Sequence, residues 1–282
     1  MPVEQASIPV TDDGFVRGDG VFEAFRVYSG SEFGLAQHLA RLERSAAGMR
    51  LEIDLPAIVR DVTALIAARG SFDYGVRIIC TRGGHMVVKS EALHDFSAAI
   101  SLASIEYRST IVLDGIKTLS YGGNVLANRI AQERGCDEAL LVTPEGTLLE
   151  GPTSALFFSP DGERLVTPPL EQGILDSITR RILLEQLDVE IRSCTLDEVL
   201  AASEAFLCSS IRELQAISRI DSNQMTAPGP LTTAAKQAYA SAVEAQWRAS
   251  SRWARATSRM PAPRPPSSSG TARARYPSSR IS

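Results

Sequence analysis

The stretch IKTLSYGGNVLANRIAQERGCDEALLVTPEGTLLE, residues 116–150, decides the fold that the sequence predicts. Its pattern predicts an extended segment, a helix closed by Gly135, and two strands joined by a turn at Glu145 and Gly146. The predicted bounds are 116–121 for the extended segment, 124–134 for the helix, and 138–142 and 147–150 for the strands. Helix and strand patterns of this kind side by side are typical of a mixed α/β protein.

Outward from this stretch, further helix and strand patterns indicate two lobes. The first lobe, residues 1–110, contains a predicted hairpin at 20–27 and 33–35. Two helices at 36–51 and 55–69 and two strands at 76–81 and 98–105 are predicted to follow it. The second lobe, residues 111–250, adds predicted helices at 177–186 and 231–249 and predicted strands at 205–210 and 214–220. The predicted fold class is therefore α/β (α+β), with a small N-terminal lobe and a larger C-terminal lobe.

The composition is that of an ordinary globular protein, because 44% of the 282 residues are hydrophobic and 22% are charged. No run of 18 apolar residues predicts a membrane span, and the N-terminus lacks a signal-peptide pattern, so we expect a cytoplasmic protein with no membrane partner. The four cysteines show no CxxC spacing and there are only three histidines, so neither a disulfide framework nor a metal site is predicted.

Charge is unevenly distributed along the chain. The net charge is -4, but eight of the 29 basic residues follow Glu244, in a region without acidic residues. Residues 1–244 therefore carry 21 basic and 33 acidic side chains, which argues against a nucleic-acid partner. The Arg/Pro/Ser-rich tail, 251–282, is predicted to be disordered. It leaves one remote alternative, a non-catalytic protein that associates with nucleic acid through this tail.

Only three lysines occur in the chain, Lys89, Lys117 and Lys236. An aldehyde cofactor needs one lysine amine that is held rigidly and is partly desolvated, so that it is neutral part of the time. Lys89 is predicted to lie in a polar loop and Lys236 on the surface of a late helix, whereas Lys117 lies between apolar residues of an extended segment. Position alone leaves a surface lysine on an edge strand as the alternative for Lys117.

Six collinear motifs resemble the fold-type IV family of pyridoxal-phosphate enzymes, which includes branched-chain aminotransferases, D-amino acid aminotransferases and aminodeoxychorismate lyases. The motifs are RGDGVFEAFRV (17–27), HLARLERSA (38–46), IKTLSYGGNVLA (116–127), GCDEALLVTPEGTLLEGPTSALFF (135–158), LVTPPLEQGILDSITR (165–180) and EAFLCSSIREL (204–214). The resemblance implies the two-lobed fold-type IV aminotransferase fold, with a β-barrel-like core in the larger lobe. It also implies a homodimer and pyridoxal 5'-phosphate as the cofactor.

The resemblance implies roles for the cofactor-binding residues. Lys117 corresponds to the lysine that forms the Schiff base, Glu150 to the carboxylate that faces the pyridine nitrogen, and Tyr121 to the phenol that hydrogen-bonds the ring oxygen. Ser177 stands where relatives commonly have glycine, next to the expected phosphate site. The phosphate is expected to bind the Arg41 guanidinium, a backbone N–H and a hydroxyl that Ile178 and Thr179 supply at a helix start, and a second hydroxyl from Ser210.

The substrate-side residues follow from the same motifs. Phe22 and Arg77 lie where relatives line the substrate pocket, although either fits an ordinary core or strand-edge role. Arg17 stands where branched-chain enzymes often have an aromatic residue, and a cation there would favour a substrate with an additional carboxylate; the alternative is an outward ion pair with an acidic neighbour. The strand end TRGGHMVVKS contains His85 but lacks the Arg-x-His spacing of D-amino acid aminotransferases, which argues against D-specificity.

The leading functional prediction is a class IV aminotransferase that moves an amino group between an amino acid, branched-chain or glutamate-like, and a 2-oxoacid. Lys117 would attach the cofactor and move the proton at the substrate α-carbon. The alternative is an aminodeoxychorismate lyase, which eliminates pyruvate to give 4-aminobenzoate, because the segment from Lys117 to Tyr121 resembles lyases as much as transaminases.

Overall fold

The first lobe is built on a four-stranded antiparallel sheet in the order β2-β1-β3-β4. The computed structural model describes residues 5–257. The strands are β1 (Gly20–Tyr28), β2 (Ser31–Glu32), β3 (Tyr74–Thr81) and β4 (Met86–Glu91). Along β1 most side chains are buried, which is expected when helices cover one face of the sheet and the second lobe lies beside the other.

Two helices, α2 (Leu35–Gly48) and α3 (Leu55–Arg69), pack on this sheet. Asp54 caps α3 by accepting a hydrogen bond from the Ala57 N–H at 2.8 Å. A short helix, α1 (Asp13–Arg17), precedes β1. The core of the lobe joins apolar side chains of the sheet and both helices, including Val21, Phe25, Leu42, Ile58, Val76 and Ile78.

The second lobe contains an eight-stranded mixed sheet. Seven strands follow the order β6-β5-β11-β10-β7-β8-β9, and β12 pairs with β11. The pairs β5·β6, β5·β11 and β8·β9 are parallel. The strands are β5 (Ala99–Glu106), β6 (Glu138–Val142), β7 (Ala155–Ser159), β8 (Leu165–Thr167), β9 (Val189–Ile191), β10 (Glu204–Ser209), β11 (Glu213–Ile220) and β12 (Asn223–Gln224).

Four helices complete the second lobe: α4 (Gly122–Glu133), α5 (Ile178–Gln186), α6 (Leu196–Leu200) and α7 (Pro230–Thr257). Apolar clusters lie on both faces of the sheet, because β6, β7 and β10 bury side chains on either side. The α/β fold class is as predicted. The helices at 124–134 and 177–186 appear at nearly their predicted bounds, and the helix predicted at 231–249 begins at Pro230 but continues to Thr257.

Three local expectations differ from the structure. Lys89 was expected in a loop but lies on β4, which pairs with β3 along its length. The expected strand at 147–150 does not form. Two isolated bridges are found there instead, between Leu148 and Val142 and between Thr147 and Thr195. The segment 116–121 forms no strand either; its only ladder contact in the described part of the chain is the bridge from Thr118 to Val21.

The sheets also divide the chain differently from the expected lobes. β5, within the predicted first lobe of residues 1–110, pairs with β6 and β11 of the second sheet. Likewise α7 continues to Thr257, past the predicted start of the tail at 251. The rest of the tail, 258–282, lies outside the described residues. None of the helices within 5–257 is long and apolar enough to cross a membrane.

Candidate active site

A cavity of about 870 Å³ lies between the two lobes. Both sheets and the segments that connect them contribute to its walls. Its volume falls in the upper part of the range usual for cofactor and small-ligand sites. The walls come from Phe22 of β1, Arg41 of α2, Arg77 of β3, the connecting residues 107–110, 113–124, 149–155 and 172–175, Ser177, and the β10–β11 turn at 209–212.

Lys117 lies on this cavity in an irregular segment that β1 and α2 hold in place. The Lys117 N–H donates to Ser45 Oγ at 3.1 Å, and its carbonyl accepts from the Phe22 N–H at 3.0 Å. The Nζ atom lies 4.3 Å from the centroid of the Phe22 ring. Hydrogen bonds of the Lys117 N–H and carbonyl groups therefore fix the position of its backbone, and with it the part of the cavity that the amine can reach.

The Lys117 amine has a perturbed acidity. Burial, reinforced by the nearby Arg41 guanidinium, lowers the pKa of Lys117 to about 8, from a usual 10.5. Glu23 and Glu150 act in the opposite direction but only partly offset the shift. At pH 7 about a tenth of the amine is therefore unprotonated and able to act as a nucleophile, far more than for a lysine with the usual pKa.

Glu150, which follows Lys117 in the sequence, lines the same cavity. Its Oε1 accepts a hydrogen bond from the Leu175 N–H at 3.0 Å. Burial raises the pKa of Glu150 to about 7, although the Leu175 N–H and the charge of Lys117 favour the ionised form. A cationic group placed beside this carboxylate would hold it ionised, so Glu150 suits a protonated ring nitrogen.

Arg41 is anchored by a buried carboxylate that sequence reasoning missed, Glu23 of β1. Arg41 Nε and Nη2 donate to the two Glu23 oxygens at 2.6 and 2.9 Å. Burial alone would raise the pKa of Glu23, but the Arg41 guanidinium lowers it far below its usual range. Glu23 also binds His38 Nδ1 at 2.8 Å, and His38 Nε2 lies 3.2 Å from the Ser210 hydroxyl.

This chain of contacts fixes the side chains expected to bind phosphate. Burial lowers the pKa of His38, so the ring is neutral, and with Nδ1–H donating to Glu23 its Nε2 accepts from Ser210. Arg41 Nη1 donates to the Asp176 carbonyl at 2.9 Å, which brings the guanidinium to the start of α5. Arg41 and Ser210 thus both line the cavity near a helix N-terminus.

The start of α5 provides backbone donors. Ser177 is its N-cap, and the Ser177 hydroxyl accepts from the Arg180 N–H at 3.3 Å. The role of Ser177 in this structure is therefore that of a helix cap. Ile178 and Thr179 occupy the first turn and are buried, and neither residue is among those that line the cavity, so the Thr179 hydroxyl is not placed on it. What a helix start can offer an anion is its free backbone N–H groups.

Tyr121, Phe22 and Arg77 also lie on the cavity. The Phe22 and Tyr121 rings pack edge to face, with centroids 5.3 Å apart. Burial, with a contribution from Glu150, raises the pKa of Tyr121, so the phenol keeps its proton and can donate a hydrogen bond. Arg77 stacks over Phe22 and donates twice to Glu91, at 2.7 and 3.0 Å.

Arg17 is the expected site residue that lies away from this cavity. Its side chain, on α1, is 73% exposed and pairs with Asp13 one turn earlier. Asp19, another acidic neighbour, instead binds Arg82. Within its own chain, Arg17 therefore forms an outward ion pair.

The residues on the cavity fit pyridoxal phosphate by their chemistry. One end offers the Arg41 guanidinium, the Ser210 hydroxyl and the N-cap residue of α5, Ser177, a set that suits a phosphate. The middle offers a partly neutral amine at Lys117, and Glu150 offers a buried carboxylate. Arg41, Lys117, Tyr121, Glu150 and Ser210, which the sequence singled out separately, all contribute to this one cavity.

Comparisons with known proteins agree with this arrangement. The chain is 29% identical over 262 residues to D-alanine aminotransferase of Bacillus licheniformis, covering 82% of this chain and 90% of that protein. It is 26% identical over 266 residues to aminodeoxychorismate lyase of Bacillus subtilis, covering 85% and 90%. Its structure superposes on a fold IV transaminase, CpuTA1, of Curtobacterium pusillum with a TM-score of 0.77 and 30% identity, covering 84% and 91%.

The fold-type IV fold expected from the sequence is confirmed by this superposition. The family model for amino-transferase class IV matches residues 20–220, which include both the first sheet and the cavity walls. The chain therefore belongs to the class IV aminotransferase family.

Proposed function

We propose that this protein transfers an amino group between an amino acid and a 2-oxoacid, with pyridoxal 5'-phosphate bound in the cavity and attached to Lys117. The observation that carries the proposal is the Lys117 amine, with its pKa lowered to about 8, in a cavity that also holds Glu150 and Arg41. Membership of the class IV aminotransferase family supports the same activity.

The cofactor-binding roles rest on the chemistry of each group. Arg41, Ser210 and the N–H groups of Ile178 and Thr179 would hold the phosphate, with His38 and Glu23 keeping Arg41 and Ser210 in place. Glu150 would face the ring nitrogen and Tyr121 the ring oxygen. When bound, the cofactor supplies an electron sink for the pair released at the substrate α-carbon.

Lys117 would then serve twice, as the attachment point and as the base that removes and returns the proton at the α-carbon. Its lowered pKa supports both roles, because each requires an unprotonated amine near neutral pH. Phe22 and Arg77 would line the space for substrate beside the amine.

The proposal is tested by an absorbance scan of purified protein titrated with single amino acids, including L-glutamate, L-leucine and both enantiomers of alanine. Loss of the visible band with one of them, and its return with a 2-oxoacid, is the expected result. A protein that binds no cofactor, or a band that no amino acid changes, would refute the proposal.

The second candidate is aminodeoxychorismate lyase, which the similarity to the Bacillus subtilis enzyme favours. The two activities differ in their products. Incubation with aminodeoxychorismate would release 4-aminobenzoate and pyruvate if the lyase reaction dominates, and the visible band would persist because no amino group remains on the cofactor. Amino transfer leaves a 2-oxoacid and depends on an amino acceptor.

The rate of cofactor attachment should depend on pH with a midpoint near 8. Only the neutral Lys117 amine can attack the aldehyde, and the pKa of Lys117 is about 8 rather than 10.5. The rate should therefore rise between pH 6 and 8 and level off by about pH 9. Stopped-flow absorbance after mixing apoprotein with pyridoxal phosphate measures this; a rate still rising tenfold per pH unit between pH 9 and 10 would contradict it.

We further propose that the protein is a homodimer whose interface adjoins the cavity mouth. Exposed apolar residues lie next to residues that line the cavity. Ile111 and Val112 lie between the lining residues Thr110 and Leu113, and Leu126 follows the lining residue Asn124 by two positions. In such a dimer, Arg17 would meet a substrate only in the cavity of the second copy. We also propose that the protein is located in the cytoplasm.

Replacing Ile111 with lysine should therefore weaken dimerisation. Ile111 is 83% exposed, and a charge placed inside an apolar interface raises the dissociation constant by roughly tenfold or more. The matched control is Val59→Lys, because Val59 is an exposed aliphatic residue on α3 that does not line the cavity. Sedimentation velocity at micromolar concentration measures both variants. An active wild-type monomer, or equal dissociation constants in the two variants, would count against the proposed interface.

A further inference from the structure

The turn between β10 and β11 brings Ser210 to the cavity. Ser209 and Glu213 pair at the base of this turn, and residues 209–212 line the cavity. Glu213 directly follows this segment but is not among the residues that line the cavity. A change in the backbone at Glu213 would therefore move Ser210 without removing any group that a ligand touches.

Glu213 has a left-handed backbone conformation, with a φ of 63°. This conformation is unfavourable for a residue with a long side chain, because the Cβ atom comes close to a carbonyl oxygen. It persists only where the surrounding structure holds it, and it is found preferentially at ligand sites. The contacts of the Glu213 side chain therefore bear on the shape of the whole turn.

Two residues of β1 hold the Glu213 carboxylate. The Tyr28 hydroxyl donates to Glu213 Oε1 at 2.8 Å, and Arg26 Nη1 lies 3.1 Å from the same oxygen. Burial raises the pKa of Tyr28, so the phenol keeps its proton and stays a hydrogen-bond donor. Because β1 belongs to the first lobe and β11 to the second, these contacts tie the turn to the opposite lobe.

Arg26 and Tyr28 are themselves held in place. Arg26 Nη2 donates to Asp73 Oδ2 at 3.0 Å, and the Arg26 guanidinium lies 4.8 Å from the centroid of the Tyr28 ring. The Arg26 side chain is 20% exposed. An isolated surface ion pair stabilises a protein very little, but several charges in a partly buried network can hold their members in a fixed geometry.

The face of β1 that meets Glu213 also reaches the cavity. Side chains alternate along a strand, so every second residue of β1 lies on one face: Phe22, Ala24, Arg26 and Tyr28. The first two line the cavity, and the last two contact Glu213. One face of this strand therefore contacts both the ligand space and the turn that carries Ser210.

We propose that Glu213 is a positioning residue for the cofactor phosphate. Its carboxylate, held by Arg26 and Tyr28, keeps the turn in the conformation that presents the Ser210 hydroxyl to the phosphate. His38 fixes the same hydroxyl from the first lobe, with Nε2 at 3.2 Å. The proposal rests on the proposed aminotransferase function and concerns the phosphate end of the same site.

The test compares pyridoxal 5'-phosphate with pyridoxal, which lacks the phosphate. Glu213→Ala should weaken the binding of pyridoxal phosphate to the full-length apoprotein by roughly tenfold, the equivalent of one hydrogen bond to a charged group. Pyridoxal attaches to Lys117 through the same aldehyde and has no phosphate to lose, so its affinity should stay close to that of the wild type. Absorbance titration gives both dissociation constants.

A double-mutant cycle shows whether Glu213 acts through Ser210. Ser210→Ala should also weaken the binding of pyridoxal phosphate by roughly tenfold. Adding Glu213→Ala to that variant should weaken binding little further, because the group that Glu213 positions is already absent. Glu190→Ala is the matched control, since Glu190 lies on β9, pairs with Arg192 at 3.5 Å and does not line the cavity. It should leave both affinities unchanged.

Equal losses for the two cofactors in Glu213→Ala would indicate a general structural effect and would overturn the proposal. No loss for either, or a double variant in which the two losses multiply, would overturn it as well. Should Glu213→Ala fail to fold, Tyr28→Phe decides, because it removes one donor to the carboxylate and keeps the ring. A loss confined to pyridoxal phosphate then supports the proposal, and wild-type affinity for both cofactors overturns it.

Failure of this inference can be told from failure of the proposed function. A wild-type protein that transaminates amino acids, and whose Glu213→Ala variant binds pyridoxal phosphate as tightly as before, refutes the role of Glu213 alone. A wild-type protein that binds no pyridoxal phosphate refutes the aminotransferase proposal on which the inference rests.

Discussion

Lys117→Ala is expected to abolish transamination and to remove the covalently attached cofactor. Removing a nucleophile that also acts as the base lowers turnover by roughly 10⁴-fold or more, because both roles are lost together. Folding should survive, since the backbone contacts of Lys117 to Ser45 and Phe22 do not involve the side chain. Turnover, the visible absorption band and the melting temperature measure the three effects.

The matched control for Lys117 is Lys236→Ala. Lys236 lies on α7 and does not line the cavity. Its replacement should leave both turnover and absorbance at wild-type levels. An alanine variant of Lys117 that kept even a tenth of wild-type turnover would show that another group serves as the base.

Glu150→Gln is the second variant with a large expected effect. Glutamine keeps an oxygen to accept from the Leu175 N–H but cannot carry the charge that a protonated ring nitrogen requires. Losing one partner of a buried charge pair costs about 3–5 kcal/mol, which corresponds to a fall in kcat of roughly a hundredfold to several thousandfold. The attachment to Lys117 should persist, because the amine is unchanged.

The pH response of Glu150 has a definite sign. Before a cofactor binds, the pKa of Glu150 is about 7, so the carboxylate is charged above pH 7 and increasingly neutral below it. Cofactor affinity should therefore decrease as the pH falls from 8 to 6, and in Glu150→Gln this contribution to the decrease should vanish. Glu145→Gln, at an exposed carboxylate paired with Arg108, is the control. Wild-type kcat in Glu150→Gln would contradict the assigned role.

Elements with a local signal could be predicted from the sequence. The helix at 124–134 and strand β10 follow from the spacing of apolar residues, which depends on each segment alone. Strand β4 was missed although Gly83 and Gly84, between two β-rich runs, are a hairpin signal. Membership of β5 in the second sheet could not be predicted, because strand pairing at long range leaves no local pattern.

For the site, the motifs located the residues but not their partners. Lys117 and Glu150 stand out because few lysines occur and the flanking motif is specific, and the structure places both on one cavity. Glu23 looked like an ordinary strand residue, and only the fold brings it within 2.6 Å of Arg41. The position of Arg17, outward on α1, likewise depends on how α1 packs against β3.

The attachment residue is the central claim, and reduction followed by peptide mapping tests it most directly. Sodium borohydride fixes the cofactor to whichever lysine holds it, and mass spectrometry of the digested protein identifies that residue. We expect the pyridoxyl group on the peptide that contains Lys117 and on no other lysine peptide. A pyridoxyl group on Lys89 or Lys236 instead would contradict this account.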